Sequence, residues 1–182
     1  MGDKVHIVRQ LEQDSWREFV NSHPLGNIFH SPEIFQVYAK AKGYRPLLWA
    51  AVDRNAHPLA LMLPVQVTLF DGLLRRFTTR AIVFGSVLYE SSPQGREAVE
   101  ILLRSYAQQT KGILLTEMRN LSDLSQIQPM LQACGFEYEE QINYLIRMDR
   151  PTEDILQNIG QRTRKRIRRG LRQGNVRVRE IR

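Results

Sequence analysis

Three apolar runs between Leu47 and Leu88 constrain the fold more than anything else in the chain. Leu47–Val52 (LLWAAV) is apolar without interruption, the pattern of a strand covered on both faces. Residues 59–70 (LALMLPVQVTLF) form the second run. Pro64 inside it predicts a bulge or a strand edge, because proline cannot donate to a ladder. The third run passes through Ile82, Val83, Phe84, Gly85, Ser86, Val87 and Leu88. Arg54, Asn55, Ala56 and His57 turn the chain after the first run, and Asp71-Gly72 is a hairpin signal after the second. The middle of the chain is therefore expected to be a meander of antiparallel strands.

Helical periods lie on either side. A short strand is expected at Val5 to Gln10. Trp16, Phe19 and Val20 then recur at i, i+3, i+4 on a helix capped by Asp14 or Ser15, and His23-Pro24-Leu25-Gly26 ends it. Ser31 is a good N-cap with Pro32 at the first helical position and Glu33 near the positive helix end. Ile34, Phe35, Tyr38 and Ala41 form that helix's inner face, and Gly43 closes it. After Pro93 the pattern becomes helix–strand alternation. Val99, Leu102, Leu103 and Tyr106 share one face over residues 95–109, and Gly112 separates them from the strand ILLTEM. Ser122 or Asp123 caps a helix holding Leu124, Ile127, Met130 and Leu131, which stops at Gly135. Tyr138 to Met148 alternates as a strand. Pro151-Thr152 opens a helical region that Gly160 divides into one long helix or two short ones. The element order predicts an α+β fold with a central mixed, largely antiparallel sheet flanked by helices.

Charge is placed very unevenly. Residues 161–182 hold ten of the 26 Lys+Arg and only Glu180 among the acids, so the formal +7 belongs to one terminal segment. Thr163, Ile167 and Leu171 fall on one side of a helix there, at i, i+4, i+8, and Gly174 stops it. Arg162, Lys165, Arg166, Arg169 and Arg172 cover the opposite side, while Arg164 and Arg168 flank the stripe. This face is either a solvated basic surface or an anion site for phosphate, tRNA or a nucleotide-linked substrate. No base-stacking aromatic interrupts it, so nucleic-acid binding would be led by phosphates. Val176-Arg177-Val178-Arg179 reads as a last extended piece without a later partner.

At 182 residues the chain can bury one full core. No run reaches the roughly 18 apolar residues of a membrane span, and the start lacks the apolar stretch of a secretory leader. Gly2 is followed by a poor context for myristoylation. Cys134 is the sole cysteine, so no internal disulfide forms, and His6, His23, His30 and His57 lack metal-ligand spacing. No bound metal and a cytoplasmic location are expected.

Several local patterns carry a family resemblance. They are the Trp-x-x-Phe-Val helix, NIFHSPEIFQVYAK, VFGSVLYE, the TEMRN strand, LQACGFEYEEQINYLIRM and the Arg-rich helix before Gly-Asn-Val-Arg-Val. In this order they resemble the first half of the Fem-type aminoacyltransferases, which build peptidoglycan interpeptide bridges on a GNAT-like fold. The resemblance implies a GNAT-like domain over residues 1–149 and a connecting helical region over 150–174, Arg-rich in 161–174. Residues 175–182 would then be the first strand of a second domain continuing beyond Arg182. It also implies a nucleotide-linked or lipid-linked peptidoglycan precursor and aminoacyl-tRNA as partners. Without that second domain, little or no transferase activity is expected. The acetyltransferases' Arg/Gln-x-x-Gly-x-Gly/Ala phosphate loop is missing, and Pro93-Gln94-Gly95-Arg96 replaces it poorly. On that ground no cofactor is expected, acetyl-CoA included. Two alternatives stay open: a GNAT-like acyltransferase of polysaccharide or lipid metabolism, and a non-catalytic tRNA-binding module.

No Ser-His-Asp or Cys-His arrangement is legible. Glu117 is the one catalytic candidate, a carboxylate interrupting an apolar strand; its bland reading is an ion pair with Arg119. Arg164, Arg168, Lys40 and His30 are the substrate-contact candidates. Lys40 stands two residues from the position where the family carries a lysine, and His30 precedes a helix N-terminus. Arg162, Lys165, Arg166, Arg169 and Arg172 are the anion-binding candidates.

Overall fold

The structure is a computed structural model and describes residues 5–68, 78–110, 113–140, 147 and 149–174. The chain divides into two compact units, Met1–Tyr138 and Glu139–Arg182.

The first unit holds eight strands among its described residues: β1 (His6–Val8), β2 (Tyr44–Pro46), β3 (Trp49–Val52), β4 (Pro58–Met62), β5 (Pro64–Thr68), β6 (Thr79–Phe84), β7 (Leu88–Tyr89) and β8 (Thr116–Arg119). They form two four-stranded sheets, ordered β1-β3-β4-β7 and β2-β5-β6-β8. Every pairing is antiparallel except β6 with β8, which is parallel. The mixed, largely antiparallel sheet read from the sequence is present.

The second and third apolar runs each serve both sheets: the second supplies β4 and β5, the third β6 and β7. The first supplies β3, and β2 lies just before it, outside the run read from the sequence. Pro64 explains the break in the second run. It has no N–H, so it starts β5 opposite Val83, and its carbonyl takes the Leu47 amide at 2.9 Å. In the third run the break is the corner Gly85–Ser86, where both residues have positive φ, +77° and +72°.

Among the described residues, four helices cover the sheets: α1 (Gln13–Ser22), α2 (Pro32–Lys40), α3 (Pro93–Gln109) and α4 (Gln128–Ala133). α3 buries Val99, Leu102, Leu103 and Tyr106 against Trp49, Ala60, Met62 and Val83 in one apolar core. Each large side chain buried there contributes roughly 1.5–3 kcal/mol. α1 and α2 pack Trp16, Phe19, Val20, Ile34 and Phe35 into a second core with Leu48, Leu61, Leu63 and Leu88.

Ser31 caps α2 as expected, taking the Ile34 amide at 3.3 Å. α1 begins earlier than expected and is capped by Glu12, whose carboxylate takes the Ser15 amide at 2.9 Å. That leaves Asp14 and Ser15 inside the first turn. β8 is shorter than ILLTEM. Leu114 and Leu115 lie exposed before it, their backbone still bonded to Thr79 and Ala81. The helix expected after Asp123 is a short 3-10 turn followed by α4, and Gly135 (φ +85°) ends it.

The second unit contains α5 (Thr152–Asn158) and α6 (Gln161–Gln173), so the helical region is two helices, and Gly174 in the left-handed conformation ends α6. Residues 138–140 and 147 are not in a strand. The rest of the strand expected up to Met148, the Asp71-Gly72 hairpin, Gly112 and the extended piece 175–182 lie outside the described residues. Among the described residues no helix is long and apolar enough to cross a membrane.

Candidate active site

The corner at the end of β6 brings together an unusual backbone and an unusual side chain. A non-glycine residue at positive φ is uncommon and costs of order 1 kcal/mol or more. Ser86 adopts it while fully buried. Gly85 before it bonds through its amide to the Arg119 carbonyl at 3.1 Å, which ties the corner to β8. No hydrogen bond from the Ser86 amide is found among the described residues.

The turn Asn27–Ser31 closes over this corner. A Cβ on Gly85 would lie 3.1 Å from Asn27 Oδ1, 3.1 Å from His30 Cε1 and 3.2 Å from Phe29 Cβ. The turn is itself fixed: Asn27 Oδ1 takes the Phe29 amide at 3.0 Å, and Trp16 Nε1 donates to the His30 carbonyl at 2.7 Å. His30 is only 1% exposed, and neither ring nitrogen finds a partner with hydrogen-bond geometry. Burial pushes its pKa below the ordinary histidine value, and the neighbouring backbone of Ser86 and Gly85 pulls it partly back. Burial therefore holds the ring toward its neutral form.

Glu117 lies on β8, two residues before Arg119. The two side chains form an ion pair at 2.8 Å, the bland arrangement foreseen for this carboxylate. The Arg119 guanidinium, with Arg80 at longer range, holds the Glu117 carboxyl below the usual range. Lys40 is exposed in the last turn of α2, and no hydrogen bond or ion pair to it is found among the described residues. His30 and the Glu117 strand thus meet the same corner, while Lys40 has no recorded link to it. The corner itself was missed by sequence reasoning. Its one sequence signal is the Gly-Ser pair interrupting an apolar strand.

The arginine candidates lie on α6 in the second unit. Arg162, Lys165, Arg166, Arg169 and Arg172 are all exposed. Arg168 donates to Glu153 of α5 at 2.7 Å. Arg164 is half-buried, and its Nε has no partner. Ile167 is half-buried and Leu171 exposed, so the apolar stripe is only partly covered.

Neither a family model nor a curated protein matches the sequence. Solved structures do. An aminoglycoside 6′-N-acetyltransferase from Acinetobacter baumannii superposes with a TM-score of 0.51 at 14% identity, over 79% of this chain and 98% of that one. An aminoglycoside N-acetyltransferase in complex with CoA superposes with a TM-score of 0.50 at 14% identity, over 81% of this chain and 97% of that one. The fold is GNAT-like. At these identities the likeness is one of fold.

The second neighbour corrects one expectation. The missing phosphate loop was taken to exclude any cofactor, yet a protein of this same fold is solved with CoA bound. The stretch of this chain nearest to a phosphate loop is the start of α3, where the Gly95 amide is already capped. This is a 17-residue helix whose N-terminus carries the positive end of its dipole. Gly95 sits so close to β7 that a Cβ would be 2.1 Å from the Glu90 carbonyl oxygen, and the Ser92 hydroxyl takes the Gly95 amide at 3.0 Å. Arg96 in the same turn is exposed and would add charge.

Proposed function

We propose that this chain transfers an acyl group to an amine at the Gly85–Ser86 corner. The observation that supports the reading is the buried His30 ring packed against the backbone of two consecutive residues of positive φ. Amide formation needs an amine freed of its extra proton, and a neutral imidazole can take that proton. It also needs a donor for the oxygen of the tetrahedral intermediate, and the Ser86 amide is our candidate for that role. In the balanced step, the amine nitrogen forms a bond to the acyl carbon. The carbon–sulfur or carbon–oxygen bond then breaks, and the leaving thiolate or alkoxide takes up a proton.

Within that class we propose a Fem-type reaction on the amine of a cell-wall precursor. The order of the sequence motifs supports it, and so do the exposed cations of α6, which suit a phosphate-bearing precursor. The test is an assay of the full-length reading frame with acetyl-CoA and, separately, aminoacyl-tRNA. Each is offered to a peptidoglycan-precursor peptide and to simple amines, with the new amide read by mass spectrometry. Amide on the precursor is expected. No amide from either donor sinks the acyl-transfer reading, and amide only on unrelated amines sinks the cell-wall part alone.

A further inference from the structure

We infer that one end of the second sheet is a docking surface for an anionic phospholipid bilayer, against which the chain rests without crossing it. The inference goes beyond acyl transfer and does not depend on it, because the binding is read without turnover.

Strand register places the surface. β2, β5, β6 and β8 lie side by side in that order, so a row across them spans roughly 14 Å. At one end of the sheet Tyr44 stands opposite Val67, and Val67 opposite Arg80. The chain entering β8 joins the same row. Ala81 stands beside Thr116, the Ala81 amide donates to the Leu115 carbonyl at 3.0 Å, and the Leu114 amide to the Thr79 carbonyl at 3.0 Å. Tyr44, Arg80, Leu114 and Leu115 therefore share this end. Arg45 follows Tyr44 on β2, Lys40 closes α2, and Lys42 lies in the turn between them.

Two properties meet there. The first is apolar exposure: Leu114 is 64% exposed, Leu115 50% and Tyr44 43%, although the same sheet buries Val65, Ile82 and Val83 a few residues away. Alternation puts Tyr44, Arg80 and Leu115 on one face and Arg45 and Leu114 on the other, so apolar and cationic side chains surround the end on both faces. The second is charge of one sign. Lys40, Lys42, Arg45 and Arg80 are all exposed, and residues 40–46, 64–68, 78–82 and 113–116 include no Asp or Glu. No ion pair to these cations is found among the described residues. Glu117, next along β8, is held by Arg119 through two nitrogens and meets Arg80 at longer range.

Charge complementarity selects the occupant. An anionic bilayer offers phosphates to the cations and, just beneath them, hydrocarbon to the leucines, with the tyrosine at the boundary. A polynucleotide would satisfy the cations but leave Leu114 and Leu115 without an apolar partner. It would also find the Tyr44 ring already stacked on Tyr38, at 5.9 Å and 21°. A second copy docked through the same patch would set Lys and Arg against Lys and Arg, since a two-fold interface pairs a surface with itself.

The experiment is co-sedimentation of the full chain with vesicles of equal parts phosphatidylglycerol and phosphatidylcholine, and with vesicles of phosphatidylcholine alone. Half-saturation is expected at a lipid concentration at least about tenfold lower on the anionic vesicles. Leu114→Ser/Leu115→Ser should raise that concentration at least about fivefold, most visibly at high salt, where the attraction of charges is screened. Arg45→Gln/Arg80→Gln should raise it at least about threefold and flatten its salt dependence. Leu121→Ser, an exposed leucine beyond the opposite end of β8, should leave it unchanged. All these side chains are exposed, so the core is spared, and a circular-dichroism melt checks this. Arg166→Gln/Arg169→Gln controls for the cations of α6. No binding to anionic vesicles, full binding by the Leu114→Ser/Leu115→Ser variant, or loss confined to the α6 variant overturns the proposal. So does displacement from the vesicles by a single-stranded oligonucleotide that the leucine variant binds as tightly as the parent, which would assign the surface to nucleic acid.

Discussion

The Gly85–Ser86 corner and helix α6 are two solutions to meeting a polar ligand. The corner is buried, carries no net charge, and is closed over by Asn27, Phe29 and His30 so tightly that a Cβ on Gly85 would lie 3.1–3.2 Å from them. α6 is cationic, exposed, and among its described residues carries a single ion pair, Arg168 to Glu153. Interactions of the first kind are short, directional and hardly screened. Those of the second act at a distance and fade over a Debye length of about 8 Å at physiological salt. Substitutions at the corner should therefore act through stability and geometry at any salt, and substitutions on α6 through salt-dependent binding with little effect on stability.

The sharpest way to break this contrast is Gly85→Ala. Its Cβ would meet three atoms at 3.1–3.2 Å, on a backbone with φ +77°. A loss of about 2–4 kcal/mol in urea unfolding is expected, from strain plus overpacking. A loss under about 0.5 kcal/mol would mean the turn over the corner is soft.

The pH dependence of stability comes next. The folded-state pKa of His30 is depressed, so the unfolded chain binds a proton that the folded chain refuses. Stability is fully present above the ordinary value of 6.5 and falls as pH drops below it, by at most about 1.4 kcal/mol per pH unit for one proton. His30→Asn should flatten the slope between about pH 6.5 and 5. An unchanged slope would remove His30 as its source.

Ser86→Gly should go the other way, stabilising by about 1 kcal/mol by relieving the positive φ, offset in part by the lost contact of its hydroxyl with Met118. Destabilisation would show that the hydroxyl outweighs the strain. The smallest effect is on α6. Arg168→Ala, which removes a half-exposed ion pair, should cost under about 1 kcal/mol and less in high salt. A larger, salt-independent loss would place α6 with the corner rather than opposite it.

Much of the fold was legible because apolar period and turn residues agree along the chain. Trp16, Phe19 and Val20 on α1, and Val99, Leu102, Leu103 and Tyr106 on α3, are buried as their spacing requires. Ser31 caps α2 because hydroxyl, proline and acid stand in the right order. The corner was not legible. Gly85 and Ser86 lie inside an apolar run, and nothing local says that two residues will turn left-handed there or that Asn27 to His30 will close on them. His30 was read as a substrate contact at a helix start, but its burial is a tertiary fact that no spacing encodes. The stack of Tyr38 on Phe84 was equally hidden. Tyr38 was assigned to an inner helical face, and its stacking on Phe84 joins a helix to a strand far along the chain.

The three crossings between sheets, at Leu47–Leu48, Leu63 and Gly85–Val87, lie side by side, because Leu47 bonds to Pro64 and Pro64 stands opposite Val83. Neither sheet can then detach while the other keeps its strands. In native-state hydrogen exchange, the amides of β3 and β4 should open in the same cooperative event as those of β5 and β6. The crossings also make the chain intolerant of length change. One residue inserted at any of them would turn a half-strand over and present its apolar side to water. Insertions between related sequences should accordingly collect in the turns, such as Asp53–His57, and spare all three crossings.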